Sequence, residues 1–233
     1  MVVKQAVVCR LLLTPELLTD YCLLFTAYCL EPPMKALIIV DVQNDFLPGG
    51  ALAVAEGDLV VPVINQLSRE FDLVFTTQDW HPANHCSFAA SHPGKKIGDR
   101  ILVGGQEQVL WPVHCVQNSF GAELAAGLNP QVISGGVHIS KGTDERVDSY
   151  SGFFENQRKR ATGLNELLRQ HGADDLTIVG LATDYCVKAT VLDALELGFA
   201  VTVLTKACRA VNLSSDDGAK ALAAMRTAGA KVV

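Results

Sequence analysis

Reactive side chains stand where apolar runs of this chain give out. "ALIIVD" ends at Asp41, "VFTTQD" at Asp79 with His81 two residues on, "VHISK" at Lys141, and "LTIVGLATDYC" leads to Cys186. Each has a plain alternative reading. Asp41 can cap a turn, Lys141 can be a solvated surface charge, and a lone cysteine is most often a small buried residue. Cys186 can also be a nucleophile, because a helix N-terminus favours thiolate. A thiol nucleophile needs a base within hydrogen-bond reach. Asp41 can serve if burial raises its pKa toward neutrality. Lys141 would add positive charge favouring both carboxylate and thiolate. Backbone N–H groups at the start of the following helix would hold an oxyanion. That set suits acyl transfer from an amide.

A second constellation lies in "QDWHPANHCSF" and "WPVHC". Asp79 and His81 are spaced i, i+2 and can face one side of an extended segment. His114 is a candidate third ligand, and His85 a further one. An Asp/His/His set suits one divalent ion, zinc, iron or manganese, with positions left open for water or substrate. Histidines in loops are also common as ordinary polar surface.

These residues need a scaffold, and the pattern from Met34 supplies one. Residues 35–42, 72–79, 176–182, 199–207 and 230–233 read as strands, and 131–141 as one or two short ones. Residues 58–71, 162–172, 184–198 and 214–229 carry helical signals, with Val60, Val63, Ile64 and Leu67 on one face, Thr162 as an N-cap and Gly172 as a stop. Alternating apolar strands and helices predict an α/β fold, a mostly parallel sheet with helices on both faces. Ligands then bind beyond the carboxyl ends of the strands, where all four reactive positions fall. Residues 80–130 show little periodicity, and a loop that long is usually functional.

Composition narrows the class. The chain has 233 residues, 49% hydrophobic and 19% charged, with a net charge of −6. That is enough for one domain with a full core and argues against disorder. No large basic patch is present, so nucleic acid is a poor partner. Seven cysteines without a CxxC or a paired framework predict reduced thiols in a cytoplasmic protein. Residues 1–33 are apolar but interrupted by Pro15, Glu16 and Asp20. They make neither a good membrane helix nor a clean signal peptide. They read as an N-terminal extension outside the core, ahead of a domain over 34–233.

Taken together, "ALIIVDVQNDFLPGGALAV", "TQDWHPANHCSF", "WPVHCVQNSFGAEL", "ISKGTD", "DSYSGFF" and "GLATDYCVKATVLDALELG" resemble the bacterial nicotinamidases of the isochorismatase-like cysteine hydrolase family. The likeness runs from Met34 to Val233 and leaves residues 1–33 uncovered. It implies a three-layer α/β/α fold and hydrolysis of nicotinamide to nicotinate and ammonia through a cysteine thioester, in NAD salvage. Pyrazinamide would also be deamidated. It implies Asp41 as acid/base, Lys141 as the lysine and Cys186 as nucleophile, with Ala182 and Cys186 N–H groups as the oxyanion hole behind a cis peptide before Ala182. It implies a metal at Asp79, His81 and His114, zinc first, that meets the pyridine nitrogen. Phe46, Trp111 and Tyr150 would line the ring pocket. His85 and Ser87 compete for the place of a further metal ligand that some relatives have. An isochorismatase would lack the cysteine, and carbamoylsarcosine- or ureido-type amidases would lack the metal set. A non-catalytic binding protein on the same fold would not need either set. Whether copies assemble into a homo-oligomer is not written in the sequence.

Overall fold

The structure, a computed structural model, describes residues 34–233. The expected extension over residues 1–33 lies outside the described residues. Six parallel strands form the sheet: β1 (Met34–Val40), β2 (Leu73–Asp79), β5 (Val137–Lys141), β6 (Ala173–Leu181), β7 (Ala200–Arg209) and β8 (Lys231–Val232). Their order is β5-β2-β1-β6-β7-β8. From β1 the chain steps outward through β2 to β5, then returns to β6 and steps the other way. The direction reverses between β1 and β6, and such a reversal opens a crevice at the carboxyl ends.

Continuous burial explains the unbroken apolar runs. Ala36 through Val40 are all fully buried, so both faces of the sheet are covered at β1. The helices are α1 (Val60–Leu67), α2 (Pro130–Ile133), α3 (Leu164–Gln170), α4 (Lys188–Glu196) and α5 (Asp217–Thr227). Among them no helix is long and apolar enough to cross a membrane.

Three local readings change. The first half of 131–141 is helical rather than strand, because Pro130 sits at the first position of α2 and Asn129 caps it by accepting from Val132 N. Thr162 Oγ1 does accept from Leu164 N at 3.2 Å, but Gly163, at φ +97°, intervenes and α3 begins at Leu164. The region 80–130 contains an antiparallel hairpin, β3 (Arg100–Val103) with β4 (Gln106–Val109). Its turn is Gly104–Gly105, both at positive φ, as a two-residue hairpin turn requires.

Candidate active site

The strand order lays the reactive groups side by side. Lys141 closes β5, Asp79 closes β2, Asp41 follows β1, and Cys186 lies just beyond β6. Lys141 joins them. Its Nζ lies 2.5 Å from Asp79 Oδ1, 2.9 Å from Asp41 Oδ2 and 3.5 Å from Cys186 Sγ, and it donates to Ser149 O at 2.9 Å. The side chain is fully buried. Burial alone would strip its charge, but Asp41 and Asp79 hold its pKa well above the ordinary lysine value.

Asp41 sits at φ +49°, a left-handed conformation that costs a non-glycine residue about 1–3 kcal/mol. Thr77 Oγ1 donates to its Oδ1 at 2.6 Å. Its Oδ2, although near Lys141, has no partner in hydrogen-bonding geometry. Burial raises the Asp41 pKa; Lys141 opposes that rise and Asp79 adds to it. A buried carboxylate with a raised pKa beside the thiol is suited to take a proton. Cys186 Sγ lies within 4.8 Å of an Asp41 carboxylate oxygen. Burial pushes the Cys186 thiol well above its usual pKa, outweighing Lys141. The sulfur therefore rests as a thiol rather than the thiolate expected from a helix N-terminus.

Asp79 belongs to both constellations. While Oδ1 meets Lys141, its Oδ2 lies 3.5 Å from His81 Nε2 and 3.7 Å from His114 Nε2. The two constellations thus share a carboxylate. Each histidine is oriented through its other nitrogen: His81 Nδ1 donates to Gly142 O at 2.9 Å, and His114 Nδ1 to Pro112 O at 2.8 Å. Both Nε2 atoms are left facing Asp79, the arrangement that metal-ligating histidines adopt. Gln43 clamps Asp79 at both ends, accepting from its N–H and donating to its carbonyl, each at 2.8 Å. Burial would lower the His81 pKa, yet Asp79 raises it. Burial would raise Asp79, but Lys141 and His81 hold it well below the ordinary range. The donor set fits a divalent cation. His85 stacks on His81 with ring centroids 4.1 Å apart, and its nitrogens engage Ser87 Oγ at 2.7 Å and Val147 O at 3.3 Å. Burial, then His81, lowers the His85 pKa to about 4. His85 and Ser87 are therefore paired with each other beside the three-residue set.

Between the two constellations lies a pocket. Phe46, Trp111, Tyr150, Ala182 and Cys186 all line it, with Asp79, His81 and His114. Phe46 lies against His114 at 5.6 Å between centroids. The Leu181–Ala182 peptide is cis. After it the chain makes a wide π-type turn over Thr183–Val187, closed by Val187 N donating to Ala182 O at 3.1 Å, and α4 starts only at Lys188.

The isochorismatase domain matches residues 35–233. The chain belongs to the isochorismatase family. It is 50% identical over 202 residues to the nicotinamidase of Escherichia coli (strain K12), covering 85% of this chain and 93% of that one. A nicotinamidase/pyrazinamidase structure from Acinetobacter baumanii superposes with a TM-score of 0.83 at 44% identity, covering 87% and 97% of the two chains. A pyrazinamidase of Pyrococcus horikoshii in complex with zinc gives 0.70 at 40%, covering 86% and 99%.

Within this isochorismatase-family pocket, several residues went unread in the sequence. Tyr185 packs edge-on to Trp111 at 4.8 Å, and Leu52 and Val211 complete the wall. Tyr185 adjoins Cys186, so position alone could have flagged it. Asp184, buried, accepts from Val211 N at 2.9 Å and Asn212 N at 2.8 Å, tying the Cys186 turn to the segment before α5. Asp148 and Gln108 are buried polar groups beside Tyr150. Gln108 reaches the site only through the unforeseen hairpin.

Proposed function

We infer that this chain is an amidohydrolase that converts nicotinamide to nicotinate and ammonia through a thioester on Cys186, and that it also deamidates pyrazinamide. The product nicotinate feeds NAD salvage. The observation that carries this reading is the contiguous row of Cys186 thiol, Lys141 ammonium and buried Asp41 carboxyl at the sheet's switch point. The identity to the E. coli nicotinamidase supports the substrate.

The chemistry follows from those groups. Asp41 takes the Cys186 proton as sulfur attacks the carboxamide carbon, so charge develops on the carbonyl oxygen rather than resting on sulfur. The Ala182 and Cys186 N–H groups hold that oxygen. Asp41 passes its proton to the departing nitrogen, the C–N bond breaks, and ammonia leaves a thioester. Asp41 then takes a proton from water as it attacks the thioester carbon. Collapse breaks the C–S bond, frees nicotinate and returns the proton to sulfur. Lys141 stays charged throughout and steadies each anionic form of Asp41. Phe46 and Trp111 flank the flat ring, and Tyr150 lines the pocket beside it. Asp79, His81 and His114 would hold a divalent metal, zinc by preference, which when bound supplies a Lewis-acid contact for the ring nitrogen.

The test is nicotinate and ammonia release by the purified protein, with mass spectrometry of rapidly quenched enzyme. An acyl adduct on Cys186 is expected. An adduct on another cysteine, or no turnover of nicotinamide by metal-loaded protein, overturns the assignment.

A further inference from the structure

Gln108 is a buried amide on β4, 3% exposed, with no part in the chemistry above. Its Nε2 lies 2.8 Å from Val109 O, 3.0 Å from Asp148 Oδ2 and 3.0 Å from the Tyr150 hydroxyl oxygen. Its Oε1 accepts from Asn156 Nδ2 at 3.4 Å, and Asn156 Oδ1 in turn accepts from Tyr150 N at 2.9 Å. The amide can stand only one way round. A backbone carbonyl can only accept, so the NH2 end must face Val109 O. The same NH2 end faces Tyr150, its two protons shared among three acceptors. Trp111 Nε1, which can only donate, lies 3.1 Å from the same hydroxyl oxygen.

A hydroxyl oxygen has two acceptor sites and one proton. Gln108 Nε2 and Trp111 Nε1 present only N–H donors to that oxygen, so neither can accept its proton. Its proton can satisfy neither neighbour and must turn away from both. Among the described residues the Tyr150 hydroxyl donates no hydrogen bond, while Tyr150 and Trp111 both line the pocket. Burial, with Asp148 adding to it, holds the Tyr150 pKa well above its ordinary value, so the proton stays on.

We propose that Gln108 is a positioning residue that turns the Tyr150 O–H into the pocket, where it donates to an acceptor atom of the bound heteroaromatic amide. The proposal rests on the amidase reading and deepens it. The hairpin β3–β4 thereby acts on substrate selection without touching the substrate: it delivers the Gln108 amide, and Tyr150 reads the ligand.

A double-mutant cycle on the full-length, zinc-loaded protein tests this, with KM and kcat for nicotinamide and the melting temperature measured for each variant. Tyr150→Phe removes the donor and keeps the ring. It should raise KM about three- to tenfold, the worth of one neutral hydrogen bond, with kcat little changed. Gln108→Leu should raise KM to a similar extent. In the Tyr150→Phe background, Gln108→Leu should add almost nothing to KM, because the path through Tyr150 has gone, whereas a loss acting through Asp148 would persist there. Gln108→Met serves if the leucine variant does not fold. An unchanged KM in Tyr150→Phe overturns the proposal. So do KM losses that multiply in the double variant, or a fall in melting temperature with KM unmoved. Wild-type protein inactive on nicotinamide would instead defeat the amidase reading.

Discussion

Asp41 carries two costs at once, a left-handed backbone and a carboxylate stripped of water. Such costs persist where function uses them. Its raised pKa sets the sign of a pH effect. The base must be ionised, so the working fraction falls as pH drops through that raised value. The acid limb of kcat/KM should therefore lie above the ordinary aspartate range. For folding the sign is the reverse of a paired carboxylate's: the Asp41 contribution is fully present below its unfolded pKa and is lost as pH rises through the folded one. Asp41→Asn should lower kcat/KM about 10²–10⁴-fold and abolish that limb; a pH–rate profile of both proteins checks it. Cys186→Ala should stop turnover and leave the melting curve nearly unchanged, because it removes one sulfur at the pocket wall. Residual turnover in that variant would point to another nucleophile. Asp41, Lys141 and Cys186 could be picked out in the sequence because parallel strands present their carboxyl ends to one crevice. The protonation state of Cys186 could not, because it depends on burial at 7% exposure outweighing Lys141, a tertiary balance.

The elements that bring these groups together depend on one close approach. Gly180, at φ +114°, pairs with Val40, and a Cβ there would lie 2.1 Å from Val40 O. The strands that end at Asp41 and lead to Cys186 can pair this closely only because residue 180 has no side chain. Gly180→Ala should cost about 1–3 kcal/mol from backbone conformation alone, with the steric overlap in addition. Since the overlap pushes β6 from β1, kcat should fall alongside the melting temperature. A stable variant with full kcat would show that the strand spacing does not set the Asp41–Cys186 geometry. Long apolar strands could be read from sequence because burial on both faces leaves an unbroken signal. The hairpin could not, since its strands are only four residues long and β4 is mostly polar, although "GG" between "RILV" and "QEQV" was a usable turn signal. The π-type turn at Thr183–Val187 was hidden as well, because its residues read as the first turn of a helix that begins at Lys188.

At the scale of the whole chain, the family match covers 35–233, and a protein begun at Met34 should keep the melting temperature and turnover of the full chain; a large loss in either would give residues 1–33 a role in the core. The sheet order also decides how the metal set relates to the chemistry. Because β2 lies beside β5, Asp79 reaches Lys141 with Oδ1 and turns Oδ2 to the histidines. A sequence reading separates the two sets, since nothing in "QDWH" shows that its aspartate also meets a lysine 62 residues later. In the proposed reading the thiol, Asp41 and Lys141 form a complete acyl-transfer set, so a cation at Asp79, His81 and His114 would not be needed to make the nucleophile. Its remaining use is recognition: a ring nitrogen is a good ligand for a borderline metal, and a benzene carbon is none. Metal-loaded protein should therefore turn over nicotinamide and pyrazinamide while benzamide, of nearly the same shape, reacts poorly. Chelation should remove most nicotinamide activity and leave the small benzamide rate almost unchanged, closing the gap from above. His81→Ala should lose both the bound metal, read by elemental analysis, and that preference. The decisive measurement is kcat/KM for nicotinamide and benzamide on loaded and chelated protein. Equal values for the two amides on loaded protein, or full nicotinamide activity after the metal is shown to be gone, would mean that the cation serves the fold or the amide rather than the ring.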